Sequence, residues 1–150
     1  LEDGKRKVLR GEYSGVIEEV NGTLLDLLLD AGYVPVIAPL ALSHDAEILN
    51  VDGDRAAAAI ASALRAHTVV ILSNVPGLLR DLSDASSLVH HIPLAHARSY
   101  LDRYALGRMK RKLLGALEAL NDGVQRVIIA DGRVAQPLEH ALAGGGTVIE

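Results

Sequence analysis

Three short apolar runs, each bounded by turn-forming residues, constrain the fold of this chain most strongly. They are VPVIAP at 34–39, TVVILS at 68–73 and QRVIIA at 125–130. A strand that is apolar on both faces must be covered on both faces, which is typical of a parallel sheet between two layers of helices. Because helical patterns alternate with these runs, we predict an α/β fold, a three-layer α/β/α sandwich with a mainly parallel sheet.

The segments between these runs carry helix patterns. Residues 54–65 are rich in alanine, begin with an acid and end with a base, so both ends complement the helix macrodipole. Asn21 can cap a helix that stops at Gly32. In the helix predicted at 109–120, helical spacing gives a core-facing stripe of Leu113, Ala116, Leu117 and Leu120. Further helices are predicted at 94–105 and 137–143, and further strands at 7–13, 16–20, 87–92 and 147–149.

The composition excludes several classes of protein. Hydrophobic residues make up 49% of the chain, yet its only aromatic residues are four tyrosines, so the core must be aliphatic. The absence of cysteine excludes disulfides and thiolate metal sites. No apolar run approaches the roughly 18 residues that span a bilayer, and no secretory leader opens the chain. We therefore expect a cytoplasmic protein with no membrane partner.

The charge is unevenly distributed along the chain. The net charge is −4, which argues against a general nucleic-acid partner. Between residues 98 and 112, however, six basic residues face a single acid, Asp102. Such a cluster either forms a solvated helix face or binds an anion, and charge alone does not distinguish the two.

Segments that directly follow the strands are the best candidates for a ligand site, because open parallel sheets bind ligands beyond the carboxyl ends of their strands. Three segments qualify: NVDGD at 50–54, SNVPG at 73–77 and ADGR at 130–133. In the first, Asp54 either caps the following helix or holds cationic groups around a phosphate. The sequence pattern alone favours the cap.

The GRMKRK segment at 107–112 begins a helix, where free N–H groups and the macrodipole favour an anion. Lys112 adds a mobile point charge, and positioned cations supply most of the catalysis in phosphoryl transfer. The alternative is an ordinary basic surface. GGGTVIE at 144–150 is not a P-loop, because no Lys-Ser/Thr pair follows the glycines. The scattered histidines indicate no metal site.

Five segments match one known family in order and spacing. They are AGYVPVIAPL, ILNVDGDRAAAAIA, VVILSNVPGLL, GRMKRKLLGALEAL and ADGR. Together they resemble the C-terminal half of the N-acetylglutamate kinase group of the amino acid kinase family, over nearly the whole chain. The resemblance implies the fold of that family. It assigns residues 1–150 to the nucleotide-binding C-terminal part of the kinase domain, with the N-terminal part not included.

The resemblance also implies residue roles. Asp54 falls on the acid that organises two catalytic lysines, and Lys112 on the second of these lysines, which neutralises the transferring phosphate. Asn50 falls on an Asn that contacts the amino-acid substrate. ATP would lie between two walls, formed by Ser73, Asn74, Val75, Gly77, Leu78 and Leu79 and by Tyr104 and Met109. Mg²⁺ would be held mainly by the nucleotide phosphates, without a protein metal cage.

The segments RGEYSG at 10–15, SNVPGLL and GRMKRK resemble one branch of the group. That branch phosphorylates α-aminoadipate carried by LysW, a small acidic amino-group carrier protein of lysine biosynthesis. The γ-phosphate of ATP passes to the free side-chain carboxylate and gives an acyl phosphate, and Tyr13 and Ser14 would contact this substrate. The alternative is N-acetylglutamate kinase of arginine biosynthesis. The basic residues that suit an acidic carrier are Lys5, Arg6, Lys7, Arg10, Arg108, Lys110 and Arg111.

The chain opens at Leu1 without an initiator Met, and we expect it to be part of a longer protein. In the family, the first lysine, the glycine-rich phosphate loops and most dimer contacts belong to the N-terminal half. The resemblance therefore implies a homo-oligomer when full length and negligible kinase activity from this chain alone. From a different class, a non-catalytic nucleotide-sensing module would keep the fold without the chemistry. The presence of both Asp54 and Lys112 counts against it.

Overall fold

Helices and strands alternate along the chain in the computed structural model, which describes residues 15–150. The helices are α1 (Gly22–Asp30), α2 (Gly53–Ala63), α3 (Leu94–Tyr104), α4 (Gly107–Asn121) and α5 (Pro137–Leu142), with a 3₁₀ turn at Ala85–Ser87. The strands are β1 (Leu40–Leu42), β2 (Ile48–Asn50), β3 (Thr68–Ser73), β4 (His91–Ile92), β5 (Arg126–Asp131) and β6 (Thr147–Ile149). The strand predicted at 7–13 lies outside the described residues.

The main sheet has four strands in the order β3-β5-β6-β4. Strands β3 and β5 are parallel from Thr68 opposite Arg126 to Ser73 opposite Asp131. Strand β4 is parallel to β6, whereas β6 is antiparallel to β5. Two of the three pairings are therefore parallel, and the prediction of a mainly parallel sheet is confirmed. The antiparallel join was not predicted, because an apolar run carries no information about strand direction.

Both faces of the sheet are covered by helices. Along β5, Val127 and Ile129 belong to the large core cluster under α2, α3 and α4. Ile128 and Ala130 point the other way, into a smaller cluster with Ala141 of α5. This alternation explains why the run is apolar at every position, since successive side chains of a strand point to opposite faces. The predicted three-layer sandwich is confirmed. In the described part, no helix is long and apolar enough to cross a membrane.

The strand prediction at 34–39 was wrong. The segment forms no ladder with any described residue, and Val34 and Val36 are 86% and 96% exposed. A buried parallel strand needs a neighbour at its edges and helices over its faces. Nothing within residues 15–150 supplies them here. Neighbouring α1 has no buried residue either, although its Asn21 cap forms as predicted, with the side chain accepting from the Leu24 amide.

Three smaller differences concern local structure. Residues 16–20 form no strand, and the predicted strand at 87–92 shortens to His91–Ile92 behind the 3₁₀ turn. Strands β1 and β2 form an antiparallel hairpin that the sequence pattern did not indicate. The α2 cap is Asp52, whose carboxylate accepts from the amides of Asp54 and Arg55 at 3.1 and 3.2 Å. This leaves the side chain of Asp54 free for another partner.

Candidate active site

Asp54 and Lys112 form an ion pair between two helices. Asp54 lies in the first turn of α2 and Lys112 in the second turn of α4, 58 residues apart in sequence. The Lys112 Nζ donates to both carboxylate oxygens, at 3.0 and 3.1 Å. Their side chains are only 18% and 22% exposed, so water screens the pair less than a surface ion pair. The carboxylate therefore holds the lysine ammonium in one place.

The close crossing of α2 and α4 sets the geometry of this pair. Gly115 faces the backbone of Asp54, and a Cβ atom at Gly115 would lie 3.6 Å from the Cβ of Asp54. The Arg55 guanidinium contacts the Glu118 carboxylate at 2.9 Å. At the far end, the Ser62 hydroxyl donates to the carbonyl oxygen of Asp122 at 3.1 Å. The small residue and the two flanking contacts hold the helices in register.

A cavity of about 380 Å³ opens beside Lys112. Its walls come from the segment after β3 and from the junction between α3 and α4. This volume lies within the range of small-molecule sites, which are about 300–1,000 Å³. The floor is formed by Leu78, which is 1% exposed. Most of the lining side chains are apolar, and Lys112 of the ion pair is one of the two cations among them.

The structure brings together every residue predicted to bind the nucleotide. All of them line the cavity with Lys112: Ser73, Asn74, Val75, Gly77, Leu78, Leu79, Tyr104 and Met109. Three further lining residues were not predicted as site residues: Leu82, Leu106 and Arg108. Arg108 could have been found from its spacing, because it lies one helical turn before Lys112 on the same face. Leu82 follows from no local pattern.

Of the three predicted substrate residues, the described one, Asn50, does not line this cavity. Asn50 ends β2, pairs with Leu40 and is exposed, four residues before Asp54. Its carbonyl oxygen accepts from the amide of Gly15 at 3.1 Å. Tyr13 and Ser14 lie outside the described residues. Contact of these three residues with an amino-acid substrate stays a prediction.

The ADGR turn at 130–133 links the end of β5 to Ser73, the residue at the end of β3 that lines the cavity. The Gly132 amide donates to the Ser73 carbonyl at 2.7 Å, at the point where β3 ends. The Asp131 carboxylate accepts from the Arg133 guanidinium at 2.9 and 2.7 Å and from the Arg133 amide at 2.9 Å. These hydrogen bonds, the side-chain ones first, lower the pKa of Asp131 to about 2. Asp131 is therefore ionised at neutral pH and keeps the turn closed.

The residues of the described part do not build a metal cage. No group of three or more His, Asp or Glu side chains within residues 15–150 is arranged to hold a metal ion. Among the described residues, no Asp or Glu lines the cavity, and both carboxylate oxygens of Asp54 accept from Lys112, which does line it. A divalent ion here would have to take most of its oxygen ligands from a bound molecule.

The comparisons with known proteins agree on one family. A model described as the amino acid kinase family matches residues 1–131. A "[LysW]-aminoadipate kinase" of Thermus thermophilus is 53% identical over 99% of this chain and 56% of its own length. The enzyme of that name from Deinococcus radiodurans is 54% identical over 99% of this chain and 51% of its own length. An "acetylglutamate kinase" of Caldanaerobacter subterraneus is 39% identical over 84% of this chain and 42% of its own length.

A solved structure shows the same fold. The N-acetylglutamate synthase of Neisseria gonorrhoeae, solved with coenzyme A and L-arginine, superposes with a TM-score of 0.83 at 32% identity. The match covers 92% of this chain and 32% of the synthase. The chain thus spans about half the length of the curated relatives it matches.

Proposed function

The chain belongs to the amino acid kinase family, and from this premise we propose that it is the ATP-binding half of a kinase that phosphorylates a carboxylate. The observation that carries the proposal is the Asp54–Lys112 pair at the edge of the cavity. A cation held by a carboxylate, beside an apolar cavity of nucleotide size, suits the transfer of a phosphoryl group.

The proposed reaction assigns a task to each part of the site. Leu78, Leu79 and Met109 cover the faces of the adenine, and the phosphates extend towards Lys112. A carboxylate oxygen of the acceptor bonds to the γ-phosphorus while the bond between that phosphorus and the oxygen of ADP breaks, giving an acyl phosphate. The Lys112 ammonium neutralises charge on the migrating group, and Asp54 keeps the ammonium in place. Mg²⁺, bound through the nucleotide phosphates, would neutralise further phosphate charge.

The acceptor that we propose is α-aminoadipate bound to LysW, the acidic carrier protein. The Thermus and Deinococcus relatives, at 53% and 54% identity, are both named "[LysW]-aminoadipate kinase". The acetylglutamate kinase, at 39% identity, suggests the alternative acceptor, free N-acetylglutamate. The start of α4 also suits an acidic partner, because Lys110 and Arg111 are exposed there outside the cavity. Complementary charge speeds the encounter of two proteins and fixes their register.

The acceptor can be tested with a full-length kinase that contains this chain. We expect efficient turnover with aminoadipate-loaded LysW and little with free N-acetylglutamate. Raising the salt from about 0.05 to 0.3 M should lower kcat/KM for the carrier steeply, because salt screens steered docking. The 150-residue chain, assayed in parallel, should give no turnover, since we propose that the first lysine and the phosphate loops belong to the other half. Efficient use of N-acetylglutamate alone would overturn the carrier proposal, and turnover by the short chain would overturn the proposed division of the site.

Arg108 is expected to serve the nucleotide as a second cation. It lines the cavity and forms no ion pair with another described residue. Replacing Arg108 by Ala should raise KM for ATP about tenfold, because a charge-assisted contact with a phosphate is lost. Arg111→Ala is the matched control, since Arg111 is exposed on the same helix but does not line the cavity. If Arg108→Ala raises KM for the carrier and not for ATP, the residue belongs to the docking surface instead.

A further inference from the structure

The glycine-rich segment at 144–146, which has the composition of a phosphate loop, lies in the turn between α5 and β6. A strand follows it instead of a helix. Thr147, the first residue of β6, is 0% exposed, and it is the one polar residue that is buried among residues 15–150. A buried hydroxyl costs free energy unless it is hydrogen-bonded. The group that bonds to the Thr147 hydroxyl therefore indicates what this residue does in the fold.

Thr147 is hydrogen-bonded to a residue in the wall of the cavity. Its Oγ1 accepts a hydrogen bond at 2.8 Å from the backbone amide of Leu78, which is 69 residues away in sequence. The carbonyl oxygen of Leu78 accepts from the amide of Val89 at 2.8 Å. Both backbone groups of Leu78 are therefore fixed, one by β6 and one by the segment leading to β4. Leu78 is also the buried floor of the cavity.

Two glycines allow this contact to form. Gly77 has a φ of +151°, and a Cβ atom there would lie 2.5 Å from the Thr147 Oγ1. Gly146 also has a φ of +151°, and its Cβ would lie 2.5 Å from the carbonyl oxygen of Ile129 in β5. A side chain at Gly77 would displace the Thr147 hydroxyl, and one at Gly146 would clash with the backbone of β5 directly before Thr147. The glycines thus bring the hydroxyl under the cavity turn instead of cradling a phosphate.

From these contacts we infer that Thr147 is a positioning residue of the nucleotide site. Its hydroxyl fixes the turn at residues 73–79 in the shape that receives the nucleotide, although it does not itself line the cavity. The inference rests on the proposed function, because the cavity must bind ATP for the turn to matter. A wall that is already ordered binds more tightly, since ordering it during binding would cost free energy.

The test compares Thr147→Val and Thr147→Ser in the full-length kinase that contains this chain. Valine keeps the shape of threonine but cannot accept the Leu78 amide, while serine keeps the oxygen. We expect Thr147→Val to raise Kd for ATP about tenfold and Thr147→Ser to stay near the wild-type value. Ile149→Val is the control for stability, because Ile149 is equally buried in β6 but its side chain makes no hydrogen bond to the turn. It should lower Tm while leaving Kd unchanged.

The outcomes separate the inference from the proposed function. An unaltered Kd in Thr147→Val, or an equal rise in Ile149→Val, would overturn the positioning role. A wild-type kinase that fails to bind ATP would instead overturn the proposed function. If Thr147→Val does not fold, hydrogen exchange of the Leu78 amide in the unaltered kinase decides the question. This amide must exchange slowly before ATP is added, and rapid exchange would contradict the inference.

Discussion

Replacing Lys112 by Ala should lower kcat by about 10²–10³-fold, while Kd for ATP changes only a few-fold. The lysine contributes mainly when charge migrates between the nucleotide and the acceptor, because Asp54 holds its ammonium in place beside the cavity. The measurement is a steady-state assay of the full-length kinase, with the affinity for ATP determined separately by titration.

Two further variants make the Lys112 result specific. Lys110→Ala removes a charge from the same helix at an exposed position outside the cavity, and it should leave kcat close to wild type. Lys112→Arg keeps the charge but replaces the compact ammonium by a planar guanidinium, so it should restore little of the rate. If turnover hardly changes in Lys112→Ala, the proposed chemistry is wrong, and a nucleotide-sensing module with the same fold becomes the better explanation.

Replacing Gly115 by Leu should lower kcat about 10²-fold, although this residue lies outside the cavity. The side chain of leucine has no room between α4 and the backbone of Asp54, so the two helices must separate. The distance of 3.0 Å between the Lys112 Nζ and the Asp54 carboxylate would then increase. A displacement of about 1 Å in a catalytic group can cost that factor. Overpacking should also reduce the free energy of unfolding by about 1–3 kcal/mol.

Gly115→Ala is the graded control for this prediction. Its Cβ would lie 3.6 Å from the nearest atom of Asp54, which is an ordinary van der Waals contact. Alanine should therefore keep the rate within a few-fold and, as a better helix former, should raise Tm slightly. Measuring kcat and Tm together distinguishes the two effects. A Leu variant with reduced Tm but unchanged kcat would show that the helix crossing does not position the ion pair.

The elements best predicted from the sequence are those for which local pattern and tertiary packing agree. The strand predicted at 68–73 has the observed bounds of β3, and the stripe in α4 places Leu113, Ala116 and Leu120 in the core. The run at 34–39 is as apolar as β3, yet it is exposed except at Pro35. An apolar run indicates that its side chains must be buried, but it does not indicate which residues bury them.

The candidate site could not be predicted from local sequence patterns alone. Read locally, Asp54 is a helix acid and Lys112 a member of a basic cluster, and only the family resemblance placed them together. The structure shows why the local interpretation of Asp54 was wrong, since Asp52 satisfies the α2 terminus and leaves Asp54 for Lys112. The contact of Thr147 with Leu78 spans 69 residues, and no motif of fixed spacing could have indicated it.

The position of β6 in the sheet has a consequence for how the protein is made. Although β6 is the last of the described strands in sequence, it lies between β5 and β4. As the chain leaves the ribosome, β4 has no described neighbour in the sheet until β6 emerges and inserts beside it. Such non-local pairing is slow, because a long loop must close before any contact stabilises it. The nascent chain therefore completes the described sheet late, and with it the hydrogen bond from Leu78 to Thr147 that supports the turn at 73–79.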